Sequence, residues 1–266
     1  MSTATHYPTD LTDSQWNLLE PLLPKPKNGG KKGGRPSSDL RQIINALLYL
    51  NRTGCQWRML PNNYACWRTI YGYFKKWSEN GVWKNIMDNL RMRERVRQGH
   101  QEEPSACSID SQSVKCSIQH EDRGYDGGKK INGRKRHILV DTLGLIIAVV
   151  VTAANYGERE GLKDLLRCYL LKGFYRLKLI WVDNGYSGKP LDTWVQSLKK
   201  THKIKLDVGE SIHGKFEVVK KRWVVERTFS WIYNYRRHSK DYERLTRNSE
   251  SMIQISMIAL LLNRLT

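Results

Sequence analysis

The hydrophobic rhythm of the chain changes near residue 100. From Thr12 to about Arg97 apolar residues recur at helical spacing. Asp10-Leu11-Thr12-Asp13 offers caps to a first helix with Trp16, Leu18, Leu19 and Leu22, stopped by Pro24. A Lys- and Gly-rich loop, Lys25 to Pro36, carries Lys31, Lys32 and Arg35. Ser38-Asp39 then caps a second helix whose buried side holds Leu40, Ile43, Ile44, Leu47, Leu48 and Leu50. Gly54 and Pro61 bound a connector, and a third helix is predicted from about Ala65 to Ser78. Gly81 separates it from a fourth, Val82 to Arg97. Helices two and three have the size of a helix-turn-helix pair with a longer connector. Trp67, Phe74 and Trp77 read as the core of this small bundle, whereas Arg68, Lys75 and Lys76 can face a DNA groove or backbone.

Gly99 to Pro104 is polar and reads as a linker. Beyond it the pattern becomes β-branched runs between helical stretches. Strands are predicted at Ala106–Ser111, Arg136–Asp141 and Leu145–Thr152, with Asp141-Thr142-Leu143-Gly144 turning between the last two. A helix at Glu160–Leu171, a strand at Lys178–Val182, a helix at Pro190–Lys199 and a strand at Ile204–Val208 follow. A long helix from Lys221 to about Arg237 and a terminal one from Ser249 to Arg264 complete the order. A meander followed by alternating units predicts an α/β fold: a mixed sheet flanked by helices, preceded by a small all-helical N-terminal domain. The expected division is 1–98 helical with a helix-turn-helix-like pair, 99–104 linker, and 105–266 the α/β domain.

Composition narrows the function class. At 266 residues, 39% hydrophobic and 27% charged, the chain can bury a real core. Forty-five Lys and Arg against 26 Asp and Glu leave a net charge of +19, which points to a polyanionic partner. Five cysteines without CxxC spacing read as reduced thiols, not as a zinc site. The polar N-terminus lacks a hydrophobic signal region, and the apolar run Leu143 to Ala154 is too short to span a bilayer. These features predict a cytoplasmic protein with no membrane partner.

Against that basic background three apolar stretches each deliver a carboxylate: Cys107-Ser108-Ile109-Asp110, Leu179-Ile180-Trp181-Val182-Asp183 and Arg222-Trp223-Val224-Val225-Glu226. The first two read as strands with an Asp at or just past the strand end, the third as a helix. Carboxylates in apolar elements are costly unless paired, and divalent metal ions are a common partner. Phosphodiester chemistry needs an activated oxygen nucleophile and charge relief on the leaving oxygen, which two metal ions roughly 3.5–4 Å apart provide. Hard oxygen ligands suit Mg²⁺, with Mn²⁺ as a substitute. Each residue also has a purely structural reading. Asp110 can cap a turn with Ser111 and Ser113, Asp183-Asn184-Gly185 favours a turn, and Glu226 can pair with Arg222 one helical turn earlier.

The surrounding residues resemble a known family. Asp110-Ser111-Gln112-Ser113-Val114-Lys115, Arg123-Gly124-Tyr125-Asp126, Gly128-Lys129-Lys130 and Gly133-Arg134-Lys135-Arg136-His137 resemble the first catalytic block of bacterial DDE transposases of the insertion sequence 4 and 5 type. The likeness continues through Val140-Asp141-Thr142-Leu143-Gly144, Trp181-Val182-Asp183-Asn184-Gly185-Tyr186 and Arg222 to Trp231, then Tyr235-Arg236-Arg237 and Lys240-Asp241-Tyr242-Glu243. In the N-terminal part Leu11-Thr12-Asp13, Trp16, Gly34-Arg35-Pro36 and Arg52-Thr53-Gly54-Cys55-Gln56-Trp57-Arg58 resemble the same family's leader domain. The resemblance implies an RNase H-like catalytic core that binds terminal inverted repeats and uses Mg²⁺ to cut and rejoin DNA. It implies Asp110, Asp183 and Glu226 as metal ligands, and Arg222 as the Arg of the family's Tyr-Arg-Glu-Lys signature. Val219 stands where that signature has Tyr, and Tyr233 where it has a basic residue, so Arg236, Arg237 or Lys240 is expected to take over phosphate contact. The 43 residues from Asp183 to Glu226 leave no room for the large β-rich insertion of some relatives.

Basic segments flank the carboxylates. Lys115 to Arg136 holds seven Lys or Arg against three acidic residues, and Lys215 to Arg247 holds ten against four. The expected DNA contacts are Arg68, Lys75 and Lys76 in the leader, Lys115, Lys129, Lys130, Arg134, Lys135 and Arg136 in the first segment, and Arg222, Arg227, Arg236, Arg237 and Lys240 in the second. A transposase must join two ends in one event, so a homodimer on paired double-stranded ends is expected. The competing readings are a defective or domesticated copy acting as a DNA-binding repressor, and an RNase H-like nuclease.

Overall fold

The structure, a computed structural model, describes residues 7–25, 38–117, 122–170, 176–186, 191, 193–197, 204–208 and 223–266. The Lys25–Pro36 loop beyond Lys25, the flanks of the Pro190–Lys199 helix, and Val219 and Arg222 lie outside the described residues.

Four helices open the chain: α1 (Asp13–Leu19), α2 (Leu40–Thr53), α3 (Trp67–Glu79) and α4 (Val82–Arg97). Thr12 and Gln15 form a reciprocal capping box on α1. Asp39 caps α2 by accepting from the N–H groups of Arg41 and Gln42, and Gly54 ends it at φ 71°, where an L side chain would be strained. The connector to α3 contains a 3₁₀ turn, Trp57–Met59.

A six-stranded mixed sheet follows, built from β1 (Ala106–Lys115), β2 (Gly124–Asp126), β3 (Ile131–Asp141), β4 (Ile146–Ala153), β5 (Leu179–Val182) and β6 (Lys205–Val208). β1 is central. It pairs antiparallel with β3 on one side and parallel with β5 on the other, and β6 adds parallel to β5. β4 pairs along most of β3, while the short β2 pairs with its start. A three-strand meander extended by two parallel crossover strands is the RNase H-like arrangement, matching the expected α/β class. The helix α5 (Glu158–Leu170) follows β4, a helical turn at 193–197 precedes β6, and α6 (Trp223–Tyr233) and α7 (Thr246–Leu265) close the chain.

Alternation along the strands separates two cores. Ile138 and Val140 of β3 join Val225 and Phe229 of α6, Ile255 and Leu261 of α7, and the leader residues Leu47, Phe74 and Leu90. Leu139, one position over, joins Ile109 and Ile180 with Leu162, Leu165 and Tyr169 of α5. The leader helices and the sheet therefore share a core, with α7 packed against α2, α3, α4 and β4.

Three boundaries differ from expectation. β1 runs to Lys115 instead of ending at Ser111, because its second half pairs with β3 from Ile138 to Gly133. β3 begins at Ile131, five residues early, and its basic start is buried. α6 stops at Tyr233, and Arg236–His238 forms a separate 3₁₀ turn in which Arg237 binds Glu243 and the carbonyl of Cys55. Among the described residues no helix is long and apolar enough to cross a membrane.

Candidate active site

Asp110 lies at the middle of β1, opposite Ile138, and does not leave the strand as expected. What ends there is its parallel partner: the β1–β5 ladder closes at Ser108 and Trp181. Two residues further on, Asp110 and Asp183 fall at equivalent register, so the shorter β5 exposes one edge of β1 where the two carboxylates meet. Asp183 begins a 3₁₀ turn, Asn184–Tyr186, and its Oδ1 accepts from the Gly185 N–H at 2.9 Å.

Glu226 projects from the first turn of α6. The two residues after it orient that helix. Arg227 Nη2 donates to the Leu143 carbonyl at 2.9 Å and Thr228 Oγ1 to the Gly144 carbonyl at 2.7 Å, fastening α6 to the β3–β4 turn. Gly144, at φ 79°, lets Thr228 and Trp231 approach closely. Asp110 and Glu226 then line one open groove of about 550 Å³, together with Ser111, Ser113, Lys129, Ser230 and Tyr233.

Burial pushes the Asp110 carboxyl up to about 6. The Ser111 N–H, donating at 2.7 Å, pulls the other way, the charges of Asp183 and Glu158 raise it further, and Lys129 lowers it. Glu158, in the first turn of α5, was not signalled by the sequence. It accepts from Ser111 Oγ at 3.0 Å and lies 3.9 Å from Lys129 Nζ. An acid at a helix start is the default choice for the macrodipole, so nothing in the chain marks this one. As the side chains stand, no three metal-ligating groups among the described residues converge to hold an ion. The donor set nevertheless fits a hard divalent cation. It is carboxylate oxygen, partly desolvated, with the ammonium of Lys129 near Asp110 to offset part of the charge.

The expected DNA contacts divide by exposure. Arg68, Lys75 and Lys76 are exposed on one face of α3, as are Lys115, Lys129, Lys130, Arg236 and Lys240 elsewhere. Arg227 is half-buried, stacked between Trp223 and Trp231 at 4.4 and 4.8 Å from their ring centres. Arg134, Lys135, Arg136 and Arg237 are buried, contrary to the surface role expected of them. Their charges are taken up inside the protein. Arg134 binds the carbonyls of Glu243 and Arg244 and faces Asp241, Arg136 binds the carbonyl of His238, and Lys135 binds the carbonyl of Tyr156. Arg237 forms a buried ion pair with Glu243 at 2.6 Å.

A sheet of this order with carboxylates gathered at one strand end defines the class, and the comparisons agree. Residues 101–262, more than half of the chain, match the family model "Transposase DDE domain", and residues 11–87 match "Putative transposase of IS4/5 family". The chain belongs to the DDE transposases of the IS4/5 type.

Among its relatives is the "Insertion element IS402 uncharacterized 16.2 kDa protein" of Burkholderia cepacia, 31% identical over 112 residues, covering 40% of this chain and 72% of that protein. The "Uncharacterized protein y4sN" of Sinorhizobium fredii is 36% identical over 73 residues, 27% of this chain and 55% of that protein. The "Putative transposase for insertion sequence element IS402", also of B. cepacia, is 28% identical over 123 residues, 42% of this chain. The chain spans about half the length of the last two, 55% and 54%.

Proposed function

We infer that this transposase binds the terminal inverted repeats of its insertion sequence and performs metal-dependent strand cleavage and strand transfer there. The observation that carries the reading is the register equivalence of Asp110 and Asp183 at the exposed edge of β1, with Glu226 lining the same groove as Asp110. Asp110, Asp183 and Glu226 are the residues that would hold two Mg²⁺ ions, with Mn²⁺ able to replace them. When bound, such ions supply charge relief on phosphate oxygens and ease deprotonation of the attacking hydroxyl.

In the first step a water oxygen forms a bond to phosphorus at the element boundary and the 3′-oxygen leaves, giving a 3′-hydroxyl on the element strand. That hydroxyl attacks a target phosphodiester, joining element to target as the target's own 3′-oxygen departs. Lys129, exposed and lining the groove, would contact a phosphate. Lys115, Lys130, Arg236 and Lys240 extend the cationic surface, and Arg68, Lys75 and Lys76 of α3 engage the duplex. The functional division is a DNA-recognition domain of residues 1–98, a linker of 99–104 and a catalytic domain of 105–266. A homodimer would hold two ends together in the bacterial cytoplasm, on the nucleoid.

The test is cleavage of a labelled duplex carrying the element's end, with Mg²⁺, by the wild type and Asp183→Ala. A single nick leaving a 3′-hydroxyl at the boundary, lost in the variant, is the expected result. Binding without cleavage would favour a repressor. Equal cutting of unrelated duplexes or RNA–DNA hybrids would favour a nuclease.

A further inference from the structure

We propose that Glu158 is a fourth carboxylate of the metal site, supplying an oxygen donor beside Asp183 from the start of α5. The inference rests on the metal-dependent reading above and adds a ligand to it.

Three contacts place Glu158 there. Its Oε1 accepts from Ser111 Oγ at 3.0 Å, next to Asp110 on β1. The same oxygen lies 3.9 Å from Lys129 Nζ, a cation lining the groove. Its Oε2 lies 2.6 Å from the point a Cβ on Gly185 would occupy, and Asp183 Oδ1 lies 3.1 Å from that point. The carboxylates of Glu158 and Asp183 thus flank Gly185 from two elements. A side chain at Gly185 would have to displace the Glu158 carboxylate from this position.

A helix-start acid needs only the macrodipole and can face solvent. Glu158 instead turns toward two other carboxylates, where Lys129 at 3.9 Å offsets one negative charge and a shared cation would offset the rest. An independent observation points the same way. Tyr186, 1% exposed, has a hydroxyl that makes no well-formed hydrogen bond, with the Ser111 side chain within reach of it, and the charges acting on it are those of Asp110, Glu158 and Asp183. A buried donor left open beside three carboxylates marks a space for a further polar occupant. Glu226 approaches from α6 on the groove side, so Glu158 adds a donor on the Asp183 side of Asp110.

Mn²⁺ binding to the full chain, followed by loss of the free-ion paramagnetic resonance signal, tests this without reference to cleavage. Glu158→Gln keeps an acceptor for Ser111 but removes the charge. It is expected to weaken Mn²⁺ by about 10-fold or more, with the far-UV circular dichroism unchanged. Ser111→Ala, which removes only the hydrogen bond, is expected to bind Mn²⁺ nearly as the wild type does. Wild-type affinity in Glu158→Gln, alongside loss in Asp183→Asn, would overturn the proposal and leave the three-carboxylate site standing. An equal loss in Ser111→Ala would also overturn it, since Glu158 would then act only through Ser111. Mn²⁺ binding untouched by Asp110→Asn and Asp183→Asn would overturn the metal-dependent reading itself. Should Glu158→Gln lose the fold, Glu158→Asp decides: its shortened carboxylate is expected to weaken Mn²⁺ likewise, and wild-type affinity there overturns the ligand role.

Discussion

Where α5 crosses β3, a Cβ on Gly161 would come within 2.2 Å of His137 Nδ1. Helix and strand touch through the missing side chain, and His137 is itself buried with its Nε2 near Thr152 Oγ1. Gly161→Ala must push α5 off the sheet or rotate the ring, a cost of about 1–3 kcal/mol by the usual scale of overpacking, to be read from urea unfolding midpoints. A second residue ties stability to pH. Burial raises the Glu250 carboxyl from 4.5 to about 7, against the Val151 N–H it accepts and the charges of Lys84 and Arg247. The folded protein keeps that proton where the unfolded chain has released it. Stability is therefore lost as pH rises from about 4.5 to about 7, and the loss persists above. Glu250→Gln, whose amide oxygen still accepts from Val151, should melt higher than the wild type at pH 8, by the equivalent of on the order of 2 kcal/mol. The gap should close toward pH 4.5. A Tm difference independent of pH would contradict this assignment. At this scale the sequence was uneven. Asp110, Asp183 and Glu226 stood out because each ends or interrupts an apolar run, a placement that demands a partner. Glu158 sits where acids are ordinary, and its contacts with Ser111 and Lys129 exist only in the fold.

Elements were legible where periodicity was apolar and ambiguous where it was polar. α4 falls at the expected residues because Gly81 and an apolar stripe bracket it. β1 was read short because Ser111, Gln112, Ser113 and Lys115 carry no hydrophobic alternation. Their partners lie elsewhere in the chain, with Ser111 on Glu158 and Ser113 on Asp126 of β2. The basic start of β3 misled in the opposite sense. Arg134-Lys135-Arg136 looks like a phosphate-binding patch, yet Arg134 is fully buried. It gathers the segment between α6 and α7 by donating to Glu243 and Arg244 carbonyls and Ser249 Oγ, beside Asp241 at 3.4 Å. Arg134→Ala leaves Asp241 buried without its cation, and breaking such a pair from one side costs about 3–5 kcal/mol. The expected result is a large fall in unfolding midpoint, with the salt dependence of DNA binding by the remaining folded protein unchanged. A DNA-contacting Arg134 would give the reverse: stability intact and a salt slope reduced by about 1.

Across the whole molecule, charge and core have different distributions. The excess of 45 Lys and Arg over 26 acids reaches the surface of α3 as Lys75 and Lys76. Each, changed to Ala, should lower the salt slope of duplex binding by about 1 without altering stability, as expected for exposed phosphate contacts. The core, by contrast, ignores the boundary that composition suggests near residue 100. Arg95 of α4 donates to Asp141 Oδ2 at 2.6 Å, a buried pair locking the leader to the β3–β4 turn that α6 also grips. Asn51 of α2 donates to the Met252 carbonyl and Ser256 of α7, and Arg52 donates to the Asn234 carbonyl just past the helix bearing Glu226. The leader thereby contacts both the segment just past the helix carrying Glu226 and the turn that this helix grips. Sequence could not reveal this, because a linker-like stretch says nothing about what packs across it. A fragment of residues 105–266 would retain the sheet and the carboxylates but uncover the side of α7 on which α2, α3 and α4 pack, including Met252 and Ser256 where Asn51 binds. It would also leave Asp141 buried without Arg95. Such a fragment should lack a cooperative thermal transition, bind a hydrophobic dye, and fail to cleave even with the leader added in trans as a separate chain. A fragment that melts cooperatively near the full-length Tm would show instead that the shared core is dispensable and that the two regions fold as independent units.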